Sequence, residues 1–429
     1  MSAPPSTTEI ATTLLAQHGL QLQSLEILQS LWAGYGHVCR VTAIPSPLAS
    51  EPTAKSQESS TTTPSLSQTP ETYIIKLISP PLSPSKHQDE GHIRKLLSYQ
   101  VEQYFYTYLA HLMPASSIPV ANCFSSLTEH NPNGTLTSAM LLTDLARDFP
   151  VAGEKRGTLS TRQVYASLDW LSSFHGFWWS RVGDFDREKL VRPPLEEMKG
   201  REELRDSDAT KGGDVDGVWL NGGYTYLSTR RSEFASLAAD EDAEWRDALT
   251  MPFPEGSPSS LAEKISRILA PHPHPDQHGP GPTDAYQTLI HGDVKSENLF
   301  ATRDGGRVAF YDFQYVGLGL GVCDLAKLFT CSVPVEMLVD AGISHSKVLR
   351  MQNGERGLLQ HYLSNLTKVS GKTYEWDTFV RHWEMALVDW LRFQAGWGFW
   401  GNKGWLEARV RSVVGDEEWR GFVERFGRV

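Results

Sequence analysis

Between Tyr286 and Phe329 the chain reads YQTLIHGDVKSENLFATRDGGRVAFYDFQYVGLGLGVCDLAKLF, the stretch that most narrows what it can fold into. Thr288 to Ile290 is a short apolar run that ends at His291. Leu299 to Thr302 and Val308 to Tyr311 are two further β-type runs, joined through Arg303, Asp304, Gly305, Gly306 and Arg307, the composition of a hairpin turn. A hairpin closing symmetrically about Gly305 sets Asn298 opposite Asp312, and Asp293 hangs on the same loop five residues before Asn298. Two carboxylates and an amide oxygen then converge on one small volume. A lone Asp or Asn beside a hairpin is ordinarily a turn former or a solvated side chain. Three at this spacing suit Mg²⁺, a hard cation that takes oxygen ligands, keeps phosphate and water in the rest of its shell and offsets the cost of clustering acids.

The rest of the chain bounds the setting of that site. Its 429 residues suggest more than one lobe, and 40% hydrophobic residues are enough for a sizeable core. The formal charge of −11 lacks the basic footprint that nucleic acid or an anionic membrane would attract. Cys39, Cys123, Cys323 and Cys331 show neither a zinc spacing nor a disulfide framework. The N-terminus has no basic, apolar leader, and no run of eighteen apolar residues occurs, so the expectation is a soluble cytoplasmic protein with no nucleic acid or membrane partner.

Residues 45–71 are almost wholly Ser, Thr, Pro, Ala, Gln and Glu, a composition expected to form a disordered insertion between two β-rich runs. The stretch Glu196 to Gly223 reads as irregular, as does PHPHPDQHGPGP from Pro271 to Pro282, where alternating Pro favours an exposed linker over metal binding by His272, His274 and His278. The spacing of Ile93, Leu97, Val101, Phe105, Tyr108 and Leu112 predicts a helix over His92 to Leu112, stopped by Pro114. A second runs from Thr161 to Trp179, capped by Ser160, with Val164, Leu168, Leu171, Phe174 and Phe177 buried. Trp376, Trp383, Trp390 and Trp397 recur every seven residues along one side of a helix; core packing is the ordinary explanation and an aromatic ligand cage the other.

The pattern His291-Gly292-Asp293, then Asn298, an apolar β-run and Asp312-Phe313-Gln314 resembles the catalytic core shared by aminoglycoside phosphotransferases, choline kinases and ecdysteroid-kinase-like proteins within the protein-kinase-like superfamily. The resemblance implies an α/β (α+β) two-lobed protein-kinase-like fold. Its β-rich N-lobe would span 1–143, and its mainly helical C-lobe 144–429 would carry the catalytic loop 291–298 and the metal-binding 312–314. It implies that Asp293 orients the substrate hydroxyl and accepts its proton, and that Asn298 and Asp312 hold the Mg²⁺ bridging the phosphates of ATP. Lys295 would touch the transferred phosphoryl group or be a solvated loop lysine. Asp324, in CDLAKLF, would cap a helix or brace the catalytic loop.

Further candidates follow from the same resemblance. Gly34 and Gly36 in LWAGYGHVCRV would let backbone approach phosphate, or simply form a hairpin turn. Lys76, a single charge in TYIIKLI, is similar to the lysine that meets the α- and β-phosphates, its alternative being a snorkelling strand lysine. Glu102 would pair with Lys76, with Glu90 as competitor and a solvent-facing ion pair as the other role for Glu102. The strand ending at Thr143 resembles the hinge, where backbone near Leu142 and Thr143 would bind adenine. GLGLG, from Gly317 to Gly321, reads as a flexible loop, since it lacks the strand-to-helix context of a dinucleotide fingerprint. The function implied is ATP- and Mg²⁺-dependent phosphorylation of a small-molecule hydroxyl. A protein kinase is disfavoured by HGD, DFQ and the lack of an APE-like segment. A nucleotide-binding scaffold without turnover is disfavoured by the joint presence of Lys76, Asp293, Asn298 and Asp312.

Overall fold

The computed structural model describes residues 6–31, 34–46, 69–80, 90–130, 136–206, 216–272, 281–343 and 346–426. Most of the insertion expected over 45–71 lies outside these residues, as do His274 and His278. The chain divides into two compact units, one of 1–88, 106–111 and 121–147 and the other of 89–105, 112–120 and 148–429. This differs from a single cut after Thr143. The helix that follows the third strand belongs to the second unit because its Arg94 donates to the Thr229 carbonyl at 2.5 Å and lies 3.6 Å from Glu233.

The first unit is built on an antiparallel sheet of β1 (Leu20–Ser30), β2 (Gly36–Pro45), β3 (Glu71–Ile78), β4 (Cys123–His130) and β5 (Leu136–Thr143), in the order β1-β2-β3-β5-β4. Helix α1 (Thr7–Ala16) starts with a reciprocal cap between Ser6 and Glu9, which satisfies otherwise orphaned N–H groups. Its Ile10, Ala11, Leu14 and Leu15 pack with Cys39, Val41, Ala43, Tyr73, Ile75, Leu77, Ala139 and Leu141. Side chains alternate along a strand, so this core claims the odd positions of β3 and leaves Lys76 on the opposite face, across from Val38 and Met140.

The second unit is mainly helical. Helix α2 (Glu90–Tyr104) runs into a π-helical turn at Phe105–Leu109, most of which is counted with the first unit, and the extra residue in that turn breaks the predicted stripe: Phe105 is buried, whereas Tyr108 and Leu112 are exposed. A small sheet joins β6 (Val151–Ala152), β8 (Leu299–Ala301) and β9 (Val308–Phe310), and β7 (Thr288–Ile290) pairs with β10 (Gly317–Gly319). Helix α3 (Thr161–Trp179) is capped by Ser160 as expected, with Val164, Leu168, Leu171 and Phe174 buried. Helix α4 (Pro194–Asp206) occupies part of the stretch expected to be irregular; Pro194 at its first position and two acids in the first turn suit a helix start. After α5 (Arg231–Ala239), α6 (Arg246–Thr250) and α7 (Leu261–Leu269) come α8 (Gly321–Cys331), α9 (Asn353–Ser370), α10 (Trp376–Trp397), α11 (Lys403–Val414) and α12 (Glu417–Phe426). Trp383 and Trp390 of α10 are core residues and Trp397 is half exposed, so packing explains the middle of the tryptophan stripe and not its end. Among the described residues no helix is long and apolar enough to cross a membrane.

Candidate active site

Strand β7 delivers His291-Gly292-Asp293 into a loop with little room. Gly292 has φ +80°, and a Cβ there would lie 2.3 Å from the Tyr315 carbonyl oxygen and 2.8 Å from the Gly223 nitrogen. Only glycine meets both demands. The neighbouring Gly222 and Gly223 are tied to the same region, donating to the Leu318 and Tyr315 carbonyls, while Tyr224 N–H donates to Gly292. His291 is fully buried; its Nδ1 accepts from Asp293 N–H at 3.2 Å, which leaves Nε2 to donate to the Tyr311 carbonyl at 3.0 Å. Burial favours the neutral imidazole and holds its pKa down.

Asp293 is the most tightly held carboxylate of the loop. Its Oδ2 accepts from Asn298 Nδ2 at 2.9 Å and lies 3.3 Å from Lys295 Nζ, and its Oδ1 accepts from Lys327 Nζ. Burial pushes this carboxyl up, but the ammonium groups of Lys327 and Lys295 outweigh it and hold it well below the usual carboxylate range. Asp293 is therefore ionised at every physiological pH. Lys295 is not a solvated loop lysine: it bridges Asp293 and Glu297, the latter at 2.6 Å. Burial opposes its charge, yet those two carboxylates raise its pKa above the ordinary lysine value.

Asn298 closes a single 3₁₀ turn, Ser296–Asn298, and enters β8. Its amide nitrogen is committed to the backbone oxygen and carboxylate of Asp293, at 2.8 and 2.9 Å, so the amide oxygen is the atom left for a cation. The hairpin register pairs Leu299 with Phe310 and Ala301 with Val308, and Tyr311 N–H donates to the Asn298 carbonyl. Asn298 thus faces Tyr311, not Asp312 as a turn centred on Gly305 predicts. Thr302 N–H donates to Arg307, leaving an even, four-residue loop whose centre falls between Asp304 and Gly305. One residue later Asp312 leaves the ladder with φ +66°, a left-handed conformation uncommon among non-glycine residues and more open to Asp than to most. Phe313 anchors that bend: it is fully buried, stacked on Phe105 with ring centroids 4.0 Å apart and packed against His291 at 4.5 Å.

Helix α8 braces the loop from the other side. Asp324 accepts from the N–H groups of His291 and Gly292 at 2.8 and 2.9 Å and from His175 Nε2 at 3.1 Å, and His175 Nδ1 in turn meets the Tyr362 hydroxyl at 2.7 Å. It is the loop acceptor, not the helix cap, a position that Leu320 holds. GLGLG is likewise no flexible loop: Gly317 to Gly319 form buried β10, and a Cβ on Gly317 would lie 2.4 Å from the Trp219 carbonyl oxygen. Lys327 went unrecognised in the sequence although it stands three residues after Asp324, the spacing that puts two side chains on one helical face.

The remaining candidates lie in the first unit, apart from Glu102. Gly34 has φ +74° with open space around it, whereas a Cβ on Gly36 would lie 1.9 Å from the Leu77 carbonyl oxygen, so Gly36 is required for strand packing whatever it binds. Lys76 is buried on β3. Leu142 lies within the sheet, opposite Ile74 and Cys123, and the Thr143 N–H is already donated to the Asn122 carbonyl. Glu102 belongs to the second unit and is buried, while the competing Glu90 lies 3.9 Å from Arg94.

No three His, Cys, Asp or Glu side chains form a metal-holding group among the described residues. A zinc-like donor set is therefore missing there, whereas one carboxylate plus one amide oxygen, Asp312 and Asn298, fits Mg²⁺, which binds through one or two protein oxygens and takes the rest from phosphate and water.

No curated protein matches the chain. Among solved structures it is similar to a choline kinase from Streptococcus pneumoniae (12% identity, TM-score 0.36, covering 97% of this chain and 99% of that one). It is also similar to a macrolide 2'-phosphotransferase from Brachybacterium faecium (12%, 0.38, 99% and 98%) and to an amicoumacin kinase in complex with AMP-PNP (12%, 0.39, 99% and 95%). At TM-scores this low the likenesses carry no information on substrate. The sequence match is more specific: residues 221–348, which hold HGD, Asn298, DFQ and Asp324, match the phosphotransferase enzyme family. This segment thus matches the same family that the pattern from His291 to Gln314 resembles.

Proposed function

We propose that the protein transfers the γ-phosphoryl group of ATP to a hydroxyl of a small molecule, with Mg²⁺. The observation that carries this reading is Asp293, which two lysines hold in its ionised form and Asn298 orients by a hydrogen bond. Phosphoryl transfer asks for positioning and charge neutralisation more than for a strong base. Asp293 would align the acceptor hydroxyl and take its proton. Asp312 and the amide oxygen of Asn298 would hold Mg²⁺, which when bound neutralises charge on the phosphates. Lys76, with Gly34, Gly36 and the backbone near Leu142, would supply nucleotide contacts, and Lys295 would meet the transferred group.

The test is ADP release from MgATP across a panel of hydroxylated metabolites, for the wild type and Asp293→Ala. We expect acceptor-stimulated release in the wild type, a loss of at least about 10³-fold in the variant, and retained nucleotide binding. Nucleotide binding without turnover in the wild type would point instead to a scaffold, and phosphorylation confined to peptides to a protein kinase.

A further inference from the structure

The charges around Asp293 say what kind of acceptor the site takes. Lys327 Nζ caps Asp293 Oδ1 and lies 4.9 Å from the centroid of the Tyr224 ring and 5.4 Å from that of Trp390. The Tyr224 ring is also faced by the Arg230 guanidinium at 3.8 Å, which lies 5.4 Å from Phe393 and 5.5 Å from Trp397. Aromatic faces are how proteins commonly receive an organic ammonium group. Here the chain's own cations already lie over those rings.

The nearby carboxylates are matched in the same way. Glu233 lies 3.1 Å from Arg230 and 3.6 Å from Arg94, Asp389 lies 2.8 Å from Arg392, Glu297 lies 2.6 Å from Lys295, and Asp293 holds both lysines. Each of these four already neutralises a cation of the chain itself. Lys327 has the opposite capacity: an ammonium group carries three donors, and Asp293 takes one.

We propose that the acceptor is a hydroxylated anion, carrying a carboxylate or phosphate, and that Lys327 is the residue that sets this preference against amines. The inference rests on the phosphotransferase reading above. The acceptor hydroxyl oxygen bonds to the γ-phosphorus while the bond from that phosphorus to the β,γ-bridging oxygen breaks. The electron pair leaves with ADP, the hydroxyl proton passes to Asp293, and the acceptor's anionic group is held by the remaining Lys327 N–H donors.

The experiment uses the full chain with MgATP and two acceptor series that differ mainly in charge: 3-aminopropane-1,2-diol, glycerol and glycerate, and glucosamine, glucose and glucuronate. ADP release above the acceptor-free background is read as kcat/KM. We expect the anions to exceed the matching amines by at least about tenfold, Lys327→Arg to keep that order, and Lys327→Glu to reverse it. Lys327→Met, of similar volume and uncharged, supplies the same reading should the glutamate variant not fold, with an anion-to-amine ratio reduced about tenfold. Should no compound be phosphorylated, inhibition of acceptor-free ATP hydrolysis is read across the same series, with anions expected to inhibit more strongly. A preference for amines, no charge preference, or a ratio indifferent to Lys327 overturns the proposal. Absence of both MgATP binding and ATP hydrolysis in the wild type would instead overturn the phosphotransferase reading itself.

Discussion

Asp293 and Asp312 are set apart by how each is held. Asp293 has every contact of a positioned, ionised group, whereas Asp312 sits at the left-handed bend after β9. We expect Asp293→Ala to remove turnover with little effect on nucleotide affinity, and Asp312→Ala to weaken Mg²⁺-dependent nucleotide binding about tenfold or more, both checked by calorimetric titration with ATP in magnesium and in chelator. The opposite pattern would exchange the two roles. Gly292→Ala places a methyl group 2.3 Å from a backbone oxygen at φ +80°, which we expect to cost at least about 2 kcal/mol, seen as a lowered urea midpoint. Asp293, Asn298 and Asp312 stand out in the sequence as candidates because loop and hairpin place them within twenty residues of one another. Lys327 could not, since what brings it to Tyr224 is helix packing over a long sequence separation.

Among the elements, α8 carries the brace that shapes the loop from His291 to Asn298. Asp324→Ala leaves two loop N–H groups and His175 without their acceptor, and we expect a loss of about 3 kcal/mol or more, with faster amide exchange at His291 and Gly292. Helix α10 carries a pair of titrating groups with opposite signs. Burial lowers the His382 pKa to about 4, so the stability it lends is complete above the unfolded value of 6.5 and is lost as pH falls from there toward 4. Burial raises Glu384 to about 7, reinforced by Glu355 and opposed by Arg409, so its contribution is complete below 4.5 and is lost as pH rises through 7. Urea midpoints across pH should therefore show Glu384→Gln gaining on the wild type above pH 7, and His382→Gln losing less than the wild type on acidification from pH 6.5. Parallel pH curves for wild type and variants would contradict both assignments. Periodicity located α3 because Ser160 and the apolar stripe agree there. It failed at the end of α2, where a π turn shifts the phase, and at Gly317 to Gly321, where glycines that suggest looseness are demanded by close backbone packing.

Over the whole chain, the β-rich and helical portions were legible as composition and periodicity, but their partition was not. Residues 89–105 and 112–120 belong to the second unit through contacts such as that of Arg94 with Thr229, which no local pattern announces. The phosphotransferase reading requires the folded chain to bind nucleotide through a cation. A ligand that binds only the folded state raises the melting temperature by mass action, by roughly 2–8 °C for each kcal/mol of binding free energy thus coupled. The most direct measurement is the melting temperature of the full chain with saturating ATP in Mg²⁺ and with the same ATP in chelator, for the wild type and Asp312→Ala. We expect a magnesium-dependent rise in the wild type that is lost in the variant; no rise in the wild type, or an equal rise in chelator, would contradict a Mg²⁺-nucleotide site built on Asp312.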